Sequence, residues 1–586
     1  MSSSLTCGCS VCPTHAAQAQ GSAAPGGPAG WAAPAREFFE SVVAWLDGPE
    51  AMAADHAQLE QRLLVDQREQ YRLLYQGHLD DRAARENRRA SVVGSDGTAR
   101  RRVEHGHQRP LTSLFGSVTV TRMAYRATPT GPAPAATIDA EPVDAEPAEA
   151  TTVEDGAPTD GSTVQAAGRS TGRTARNLYP ADAVLNLPVG WHSAGLARFA
   201  AVEAARGSFE EAAAAIERAT GVRLGKRQVE QLARAAAVDV DSFYAAHRPA
   251  PCPDGSDGAD GRVLVLQADG KGIVMRQDGL RPATARTAAK TSTAGSGLSP
   301  ADRPARKRMA ELVCVHDLTP VPRTVDDIIP PVARPTANTA AGAAGDPVTD
   351  RVKAPIATGK WLTASIVEDI PTVIAAGFDE AERRDPDHQR TWLALVDGNT
   401  TQIDAILAEA RRRGVTVTIL VDLLHVSGYL WDAAKAFFCT DTTAGMTLAS
   451  SWVSERTRLI LQGRAGEVAG RITARANDSK LTAAQRKATD AAATYLTNKA
   501  PHLDYPTALA KGWQIATGVI EGACRHLVQD RMDITGARWG LPGAETVLKL
   551  RALTRNGDFD SYWDWHLQQE LQRNHLSRYQ ELDLAA

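Results

Sequence analysis

The chain has 586 residues, which at ~100–200 residues per domain predicts about three to five folded units. Its formal net charge is −4, from 65 basic and 69 acidic side chains, and 43% of its residues are hydrophobic, as is typical of a globular protein. No apolar run approaches the ~20 residues of a membrane span, and the N-terminus lacks the order of a signal peptide. The cysteines are few and mostly far apart, so we expect a reducing cytoplasm and no disulfide framework.

Residues 1–35 are predicted to form a flexible tail. Within it, Cys7, Cys9, Cys12 and His15 have the residue types of a zinc site, because thiolates and imidazole suit tetrahedral Zn²⁺. These residues are crowded into one short run with no second pair of ligands. We therefore do not expect zinc in this tail.

Residues 36–126 are predicted to form helices followed by a β-hairpin. Arg36–Glu86 carries apolar residues at helical spacing, whereas Leu111–Tyr125 alternates apolar and polar residues around a turn at Phe115 and Gly116. Residues 127–176 are rich in Ala, Pro, Thr, Gly and acids, a composition that cannot bury a core. This second stretch is predicted to be a disordered acidic linker.

Residues 177–250 are predicted to be helical, with the outline of a helix-turn-helix. Ser208 and Glu211 have the spacing of a capping box, and a turn at residues 220–222 leads into a second helix. Polar and basic residues open that second helix and are candidate DNA contacts: Lys226, Arg227 and Gln228. The alternative is an ordinary helical hairpin on which these residues only solvate one face.

Residues 251–438 are predicted to form the first part of a catalytic core. Three early strands, a helix and then strand–helix–strand give the order of a ribonuclease-H-like mixed sheet. Loops at residues 277–304 and 332–349 are predicted to be flexible. An all-helical insertion (439–512) separates this part from the last part of the core and a C-terminal tail (513–586).

Acids that follow apolar strands give the main functional signal. Asp269 follows the run 262–268, Asp397 follows 391–396, and a glycine comes directly after each of them. Two such carboxylates with a third acid can hold two Mg²⁺ ions ~3.5–4 Å apart, one activating a water or 3′-hydroxyl and the other stabilising the leaving oxygen of a phosphodiester. The alternative is that Asp-Gly is only a turn-forming pair.

Glu521 is the candidate for the third acid. The stretch from Gly518 to Val528 is predicted to be a helix, which places Arg525 on the same face as Glu521, four residues later. Small residues follow the acid, as they would where a helix packs closely. An exposed Glu–Arg ion pair is the simpler alternative.

Several motifs in this order resemble the ISKra-type family of bacterial insertion-sequence transposases. They are Leu266–Gly272, Leu395–Asn399, Asp422–Val426, Gly518–His526 and Thr535–Trp539. The resemblance covers roughly residues 111–125 and 178 to the C-terminus. It implies DDE-type DNA strand cleavage and transfer, with Asp269, Asp397 and Glu521 as the catalytic, metal-binding triad and two Mg²⁺ ions as cofactors, for which Mn²⁺ can substitute.

Asp422 also ends a predicted strand and competes with Asp397 for the place of the second acid. The Asp422-x-x-His425 pair is similar to a motif that follows the second catalytic Asp in Mutator-like transposases. That likeness favours Asp397 as the catalytic acid and makes Asp422 and His425 accessory, together with Arg525. His425 is equally compatible with a hydrogen-bonded core histidine.

The C-terminal part adds candidate DNA contacts at Arg531, Arg538 and Trp539; the alternative for Trp539 is that it packs in a core. The partners implied are double-stranded DNA, both the terminal inverted repeats of the element and its target, and further copies of the chain on that DNA. Such a protein would be cytoplasmic and associated with the nucleoid. Two alternatives stay open: a ribonuclease-H-fold nuclease that does not join strands, and a DNA-binding regulator that has lost catalysis.

Overall fold

The computed structural model describes residues 30–127, 176–246, 262–286, 307–330, 352–534 and 536–584. The cysteines of the tail, nearly all of the acidic linker and the loop at 332–349 lie outside these ranges. The chain divides into two compact units, one drawn from Met1–Ser193 with Leu571–Ala586 and the other from Ala194–Glu570. The C-terminal residues, which the sequence analysis assigned to the catalytic core, thus group with the N-terminal unit.

The first unit combines helices with a three-stranded antiparallel sheet. Its elements are α1 (Ala33–Leu46), α2 (Pro49–Ala53), α3 (His56–Ala84), β1 (Val92–Val93), β2 (Ala99–Ser113), β3 (Gly116–Ala127) and α4 (Pro180–Val184). Asp55 caps α3 through a reciprocal bond with Gln58, which fixes where this helix begins. The hairpin is where the sequence predicts it, but β2 starts at Ala99 and is longer than expected.

Four helices open the second unit: α5 (Ala194–Arg206), α6 (Phe209–Thr220), α7 (Lys226–Ala236) and α8 (Val240–Ala246). The predicted capping box is present at the start of α6, where Ser208 and Glu211 bond reciprocally. Gly221 ends α6 at φ 74°, a left-handed conformation that favours glycine. The predicted helix–turn–helix outline is therefore present as backbone geometry.

A five-stranded mixed sheet forms the centre of the second unit. Its strands are β4 (Val263–Val274), β5 (Lys307–Leu318), β6 (Ala357–Ser365), β7 (Thr391–Val396) and β8 (Val417–Val421), in the spatial order β6-β5-β4-β7-β8. The pairs β4–β5 and β5–β6 are antiparallel, whereas β4–β7 and β7–β8 are parallel.

Helices cover both faces of this sheet. The helices after α8 are α9 (Val325–Ile328), α10 (Ile370–Arg384), α11 (Thr400–Arg413), α12 (Leu423–Phe437), α13 (Thr443–Leu461), α14 (Ala465–Asp478), α15 (Ala483–Lys499), α16 (Tyr505–Ala510), α17 (Gly518–Ala523), α18 (Asp530–Met532), α19 (Leu541–Asn556) and α20 (Phe559–Asn574). Alternate residues of β4 enter different cores, because successive side chains of a strand point to opposite faces. Val265 packs in the core that contains α12 to α16, and Leu266 packs in the core that contains α10 and α11.

Two regions differ from the sequence prediction in detail. The predicted flexible loop 277–304 begins with ordered structure, a 3₁₀ turn at Gln277–Gly279 and a helical stretch at 282–286, and its remainder lies outside the described ranges. The helix predicted from Gly518 is interrupted by a π-helical segment, Cys524–Gln529. Across the described ranges, none of the helices has both the length and the apolar character needed to cross a bilayer.

Candidate active site

Three aspartates lie at the same level on three neighbouring strands of the central sheet. Val396, the last residue of β7, pairs with Ala268 of β4 and with the last residue of β8. The next residue on each strand is therefore an acid: Asp269, Asp397 and Asp422. Asp397 and Asp422 follow strand ends, as predicted, whereas Asp269 lies inside β4, which continues to Val274 alongside β5. Asp269 thus marks the end of parallel pairing rather than the end of its strand.

Asp269 is half-buried and holds two hydrogen bonds. Its Oδ1 accepts from the Gly270 amide at 2.7 Å, and its Oδ2 accepts from the Cys524 thiol at 3.3 Å. Burial raises the pKa of Asp269, and the nearby charge of Asp397 raises it further against the lowering effect of the two hydrogen bonds. The two carboxylates therefore interact unfavourably when both are ionised.

Asp397 is held in a tight turn at the end of β7. Its Oδ1 accepts from the Asn399 amide at 2.7 Å, and its backbone oxygen accepts from the Tyr495 hydroxyl at 2.8 Å. Gly398 has φ 93°, and a Cβ there would lie 2.6 Å from the Tyr495 hydroxyl oxygen. The glycine after this acid is therefore required both for its backbone conformation and for the approach of Tyr495.

Glu311 is a further acid at this place, and the sequence analysis missed it. It lies on β5 opposite Gly270, is 6% exposed, and its Oε1 accepts from Gln402 Nε2 at 2.7 Å. Burial raises its pKa to about 8, against the Gln402 hydrogen bond and with a contribution from the charges of Asp269 and Asp397. The available signal was an acid inside an otherwise apolar run, Ala310–Val315.

Asp422 differs from the other two aspartates because both of its carboxylate oxygens accept two hydrogen bonds. It is completely buried at the start of α12, where Oδ1 accepts from the amides of Leu424 and Thr517 and Oδ2 from the amide of His425. The His425 ring Nδ1 also lies 2.9 Å from Oδ2. Burial raises the pKa of Asp422, but these hydrogen bonds outweigh it and hold the pKa below its ordinary value.

His425 extends from this buried carboxylate toward the other two aspartates. Its hydrogen bond with Asp422 raises the pKa of the imidazole against the effect of burial, and the charges of Asp422, Asp397 and Asp269 add to the rise. The ring is 43% exposed. Asp422 therefore orients His425 and keeps its ring protonated to a higher pH than an isolated histidine.

Hydrogen bonds hold helix α17 against the carboxyl ends of the parallel strands. The Thr517 amide, just before the helix, donates to Asp422 Oδ1 at 3.2 Å. The Ile520 amide donates to Oε1 of the fully buried Gln267 at 2.9 Å. With the Cys524 thiol on Asp269, these bonds fix the helix against β4 and the start of α12.

Glu521 is exposed on α17, one helical turn before Cys524. Cys524 contacts Asp269, whereas the Glu521 carboxylate makes no hydrogen bond or ion pair with the described residues. Arg525 is also exposed, and its Nε lies 3.8 Å from Asp530 Oδ1. The π-helical segment that begins at Cys524 shifts the residues after it around the axis, which the predicted α-helical spacing of Glu521 and Arg525 did not include.

The predicted triad does not form the tightest ligand cluster of the structure. Among the described residues, one acid–histidine group has its ligand atoms all within 4.8 Å of one another: Asp239, His566 and Glu570. In that group His566 Nδ1 lies 2.7 Å from Asp239 Oδ2, an ion-pair contact between α20 and the residue before α8. The predicted triad is thus more widely spaced than this group.

The predicted DNA contacts on α7 differ in how their side chains are used. Gln228 accepts from the Gly225 amide at 2.8 Å and so caps its own helix. Lys226 Nζ lies 3.0 Å from Glu210 Oε2 at an exposed position. Arg227 is exposed and makes no ion pair with the described residues. Of the three, Arg227 is the residue whose charge is most available to a ligand.

The C-terminal candidates require a correction. Arg531 is 4% exposed and its guanidinium lies over the Trp539 and Phe209 rings, 4.7 and 5.4 Å from their centroids. Trp539 is buried and donates to the Met532 carbonyl. Because both side chains are enclosed, we no longer assign them to DNA. Arg538 is exposed and stays a candidate.

In comparisons with known proteins, no protein-family model and no curated sequence matches the chain. The likeness to ISKra-type transposases therefore rests on the short motifs given above.

Proposed function

We propose that the chain is a DDE-type transposase that binds the ends of an insertion sequence and carries out metal-dependent cleavage and transfer of DNA strands. One observation carries this proposal. Asp269 and Asp397 follow paired residues of adjacent parallel strands, the buried Glu311 lies opposite Gly270 on β5, and none of these three acids makes an ion pair with the described residues. Carboxylates gathered without a cationic partner are typical of a site that binds a cation.

The sheet supports a ribonuclease-H-like core. In chain order its strands are three antiparallel neighbours, β4 to β6, followed by β7 and β8 parallel to β4 on the other side. Helix α10 lies between the third and fourth strands, and α13 to α15 form a helical insertion before α17. In such an arrangement, acids that follow parallel strands lie together at the carboxyl ends of those strands.

The acids fit Mg²⁺ in ligand chemistry. Asp269, Asp397 and Glu521 would hold the ions, with Glu311 close behind Asp269. Bound Mg²⁺ supplies charge neutralisation at the phosphodiester and activation of the attacking oxygen. The raised pKa values of Asp269 and Glu311 reflect burial and mutual repulsion, both of which a bound cation would offset.

The remaining residues of the site position these acids or contribute charge. Tyr495 holds the turn of Asp397 through its backbone oxygen, and Cys524 donates to Asp269. Asp422 orients His425, whose protonated ring would place a positive charge where a phosphate approaches. In the same proposal α7, with Arg227 foremost, contacts the terminal inverted repeats, and further copies of the chain assemble on the two ends of the element.

The decisive experiment is cleavage of a labelled element end by the full chain with Mg²⁺, compared with a gel shift in its absence. The DNA on either side of the gene supplies the element ends to be tested. Cleavage and joining by the wild type, both lost in Asp269→Asn while binding remains, are the expected results. Cleavage without joining would favour a nuclease, and binding without either reaction would favour a regulator.

A further inference from the structure

An open cleft of about 820 Å³ lies beside the candidate active site, between α12, α15 and the start of α11. It reaches the acids through Tyr495, which lines the cleft and whose hydroxyl donates to the Asp397 backbone oxygen. Near the same end, Lys499 Nζ donates to Thr400 Oγ1, three residues after Asp397, at 2.9 Å. The cleft therefore begins at the turn that holds a proposed metal ligand.

The charged side chains of the cleft are mostly basic. Arg486, Lys487 and Lys499 line it together with one acid, Asp490. Arg486 Nε donates to both carboxylate oxygens of Asp490, at 2.9 and 3.0 Å, so this acid is already paired. Three cations against one paired acid leave an excess of positive charge next to a negatively charged catalytic centre.

The basic residues are spread along the helix rather than gathered at one point. Arg486 and Lys499 lie near the two ends of α15, 13 residues apart, which is roughly 20 Å at the rise of an α-helix. A DNA strand advances 3.4 Å per nucleotide in a duplex, so this length matches about six nucleotides. The spacing fits an extended phosphodiester chain better than one small anion.

An aromatic pair forms the apolar part of the cleft. The rings of Tyr429 and Tyr495 are stacked, with centroids 4.0 Å apart and planes inclined by 20°. Aromatic surface flanked by cations is the combination with which proteins hold nucleic-acid strands, since the cations bind phosphates and the rings contact sugars or bases.

We propose that this cleft binds the DNA strand next to the cleaved phosphodiester, with its phosphates on Lys487 and Lys499 and on Arg486, which exchanges Asp490 for a phosphate. The inference rests on the proposed function, because the strand is placed by its continuity with Asp269 and Asp397. It assigns the helical insertion a role in holding DNA, separate from recognition by α7.

The first test measures binding of a fluorescent oligonucleotide carrying an element end by anisotropy, without Mg²⁺, at several salt concentrations. Lys487→Glu and the double variant R486A/K487A should bind about tenfold more weakly, with a salt slope lower by roughly one to two. Lys435→Ala is the matched control, since Lys435 is an exposed lysine of α12 outside the cleft lining. Unchanged affinity and slope in folded Lys487→Glu would overturn the proposal.

The second test locates the strand directly. Ala491 lines the cleft and is exposed, so in a background with Cys7, Cys9, Cys12, Cys252 and Cys439 replaced by Ser, an Ala491→Cys variant should form a disulfide with an oligonucleotide that carries a thiol near the cleavage position. Met446→Cys, exposed on α13 and outside the cleft lining, should not. Equal crosslinking at both positions would overturn the proposal.

The two proposals can fail separately. If Asp269→Asn abolishes cleavage while the cleft variants bind and crosslink like their controls, only the assignment of the cleft fails. If purified Asp269→Asn still cleaves, the proposed function itself fails, whatever the cleft binds.

Discussion

Two regions of the second unit contain buried charge, and they differ in how completely that charge is satisfied. At the carboxyl ends of the parallel strands, Asp269 accepts two hydrogen bonds and Glu311 one, and the charges of neighbouring acids raise the pKa of both. In the C-terminal region, buried Arg551 donates to the carbonyls of Leu527, Ala205 and His526. A buried ionisable group whose hydrogen bonds are all made by the protein stabilises the fold. A buried ionisable group that lacks such bonds indicates a ligand-binding site.

Asp397 and Asp422 occupy equivalent positions on adjacent strands but differ in the hydrogen bonds of their carboxylates. Both end a strand, and both accept a backbone amide from the turn that follows. Asp422 is fully buried with four donors, whereas Asp397 is half-buried and its Oδ2 accepts no hydrogen bond from the described residues. The position of an acid at a strand end is thus insufficient; its remaining lone pairs decide whether it can bind a metal.

The largest expected effect is at Asp269. Asp269→Asn should lower the rate of strand cleavage by about 10³-fold or more, equivalent to the several kcal/mol that metal-bound charge contributes at the transition state. Element-end binding measured by gel shift should be nearly unchanged. Asp397→Asn and Glu521→Gln should give similar losses that do not add, because the three acids would act as one site.

Asp422→Asn is the matched control for that prediction. It should give a partial cleavage defect, because the amide still accepts from the helix start but no longer holds a protonated His425. Full cleavage by purified Asp269→Asn, or a defect in Asp422→Asn as large as that of Asp397→Asn, would contradict the difference drawn between these acids.

The second prediction tests the satisfied region. Arg551→Ala should lower the free energy of unfolding by about 3 kcal/mol, since it leaves buried carbonyls without donors and removes packed atoms. Lys549→Ala, two residues away on the same helix, should cost less, about 1 kcal/mol, because its pair with Asp241 is exposed and its second contact, with Glu545, is 3.5 Å long. Chemical denaturation measures both. Equal costs would show that the burial of Arg551 has little energetic weight.

The sequence was sufficient to predict those parts of the site that depend on residues close together in the chain. Apolar strands followed by Asp-Gly place Asp269 and Asp397, and the capping box at Ser208 locates α6. It did not predict that β4 continues past Asp269, because β4–β5 pairing is made by backbone groups while the side-chain pattern is interrupted by Gly270 and Gly272.

Residues whose role depends on three-dimensional neighbours were not predictable in this way. Glu311 is one acid in an apolar strand, and only the sheet shows that it lies opposite Gly270, close enough for the charge of Asp269 to affect it. Arg531 and Trp539 have the composition of a DNA contact, yet their rings and guanidinium stack on each other inside a core. The π-helical turn after Glu521 likewise results from packing and has no sequence signature here.

The third prediction concerns Glu311 in protein freed of metal with a chelator. Its pKa is about 8 when folded against 4.5 as the ordinary value, so the fold favours the protonated form. The unfolding free energy of the wild type should therefore fall as pH rises from about 4.5 to 8, by up to about 5 kcal/mol from this group at ~1.36 kcal/mol per pH unit. Glu311→Gln keeps an acceptor for Gln402 and should remove this part of the pH dependence.

Thermal unfolding at several pH values, compared between wild type and Glu311→Gln, measures that difference. Glu455→Gln, at an exposed position, is the control and should leave the profile unchanged. Added Mg²⁺ should raise the melting temperature of the wild type near pH 8 more than that of Asp269→Asn. Identical pH profiles for wild type and Glu311→Gln would show that folding does not raise the pKa of Glu311.

The smallest expected effect is on α7, where the two basic residues differ in their partners. Arg227→Ala should weaken element-end binding by about three- to tenfold and lower the salt slope by ~0.9, the value for one phosphate contact. Lys226→Ala should do less, because its ammonium already pairs with Glu210 and must exchange that partner for a phosphate. Anisotropy at two salt concentrations measures both, with Lys435→Ala as control. If the salt dependence of binding is unchanged in Arg227→Ala, then Arg227 contacts no phosphate. In that case α6 and α7 form a structural helical hairpin.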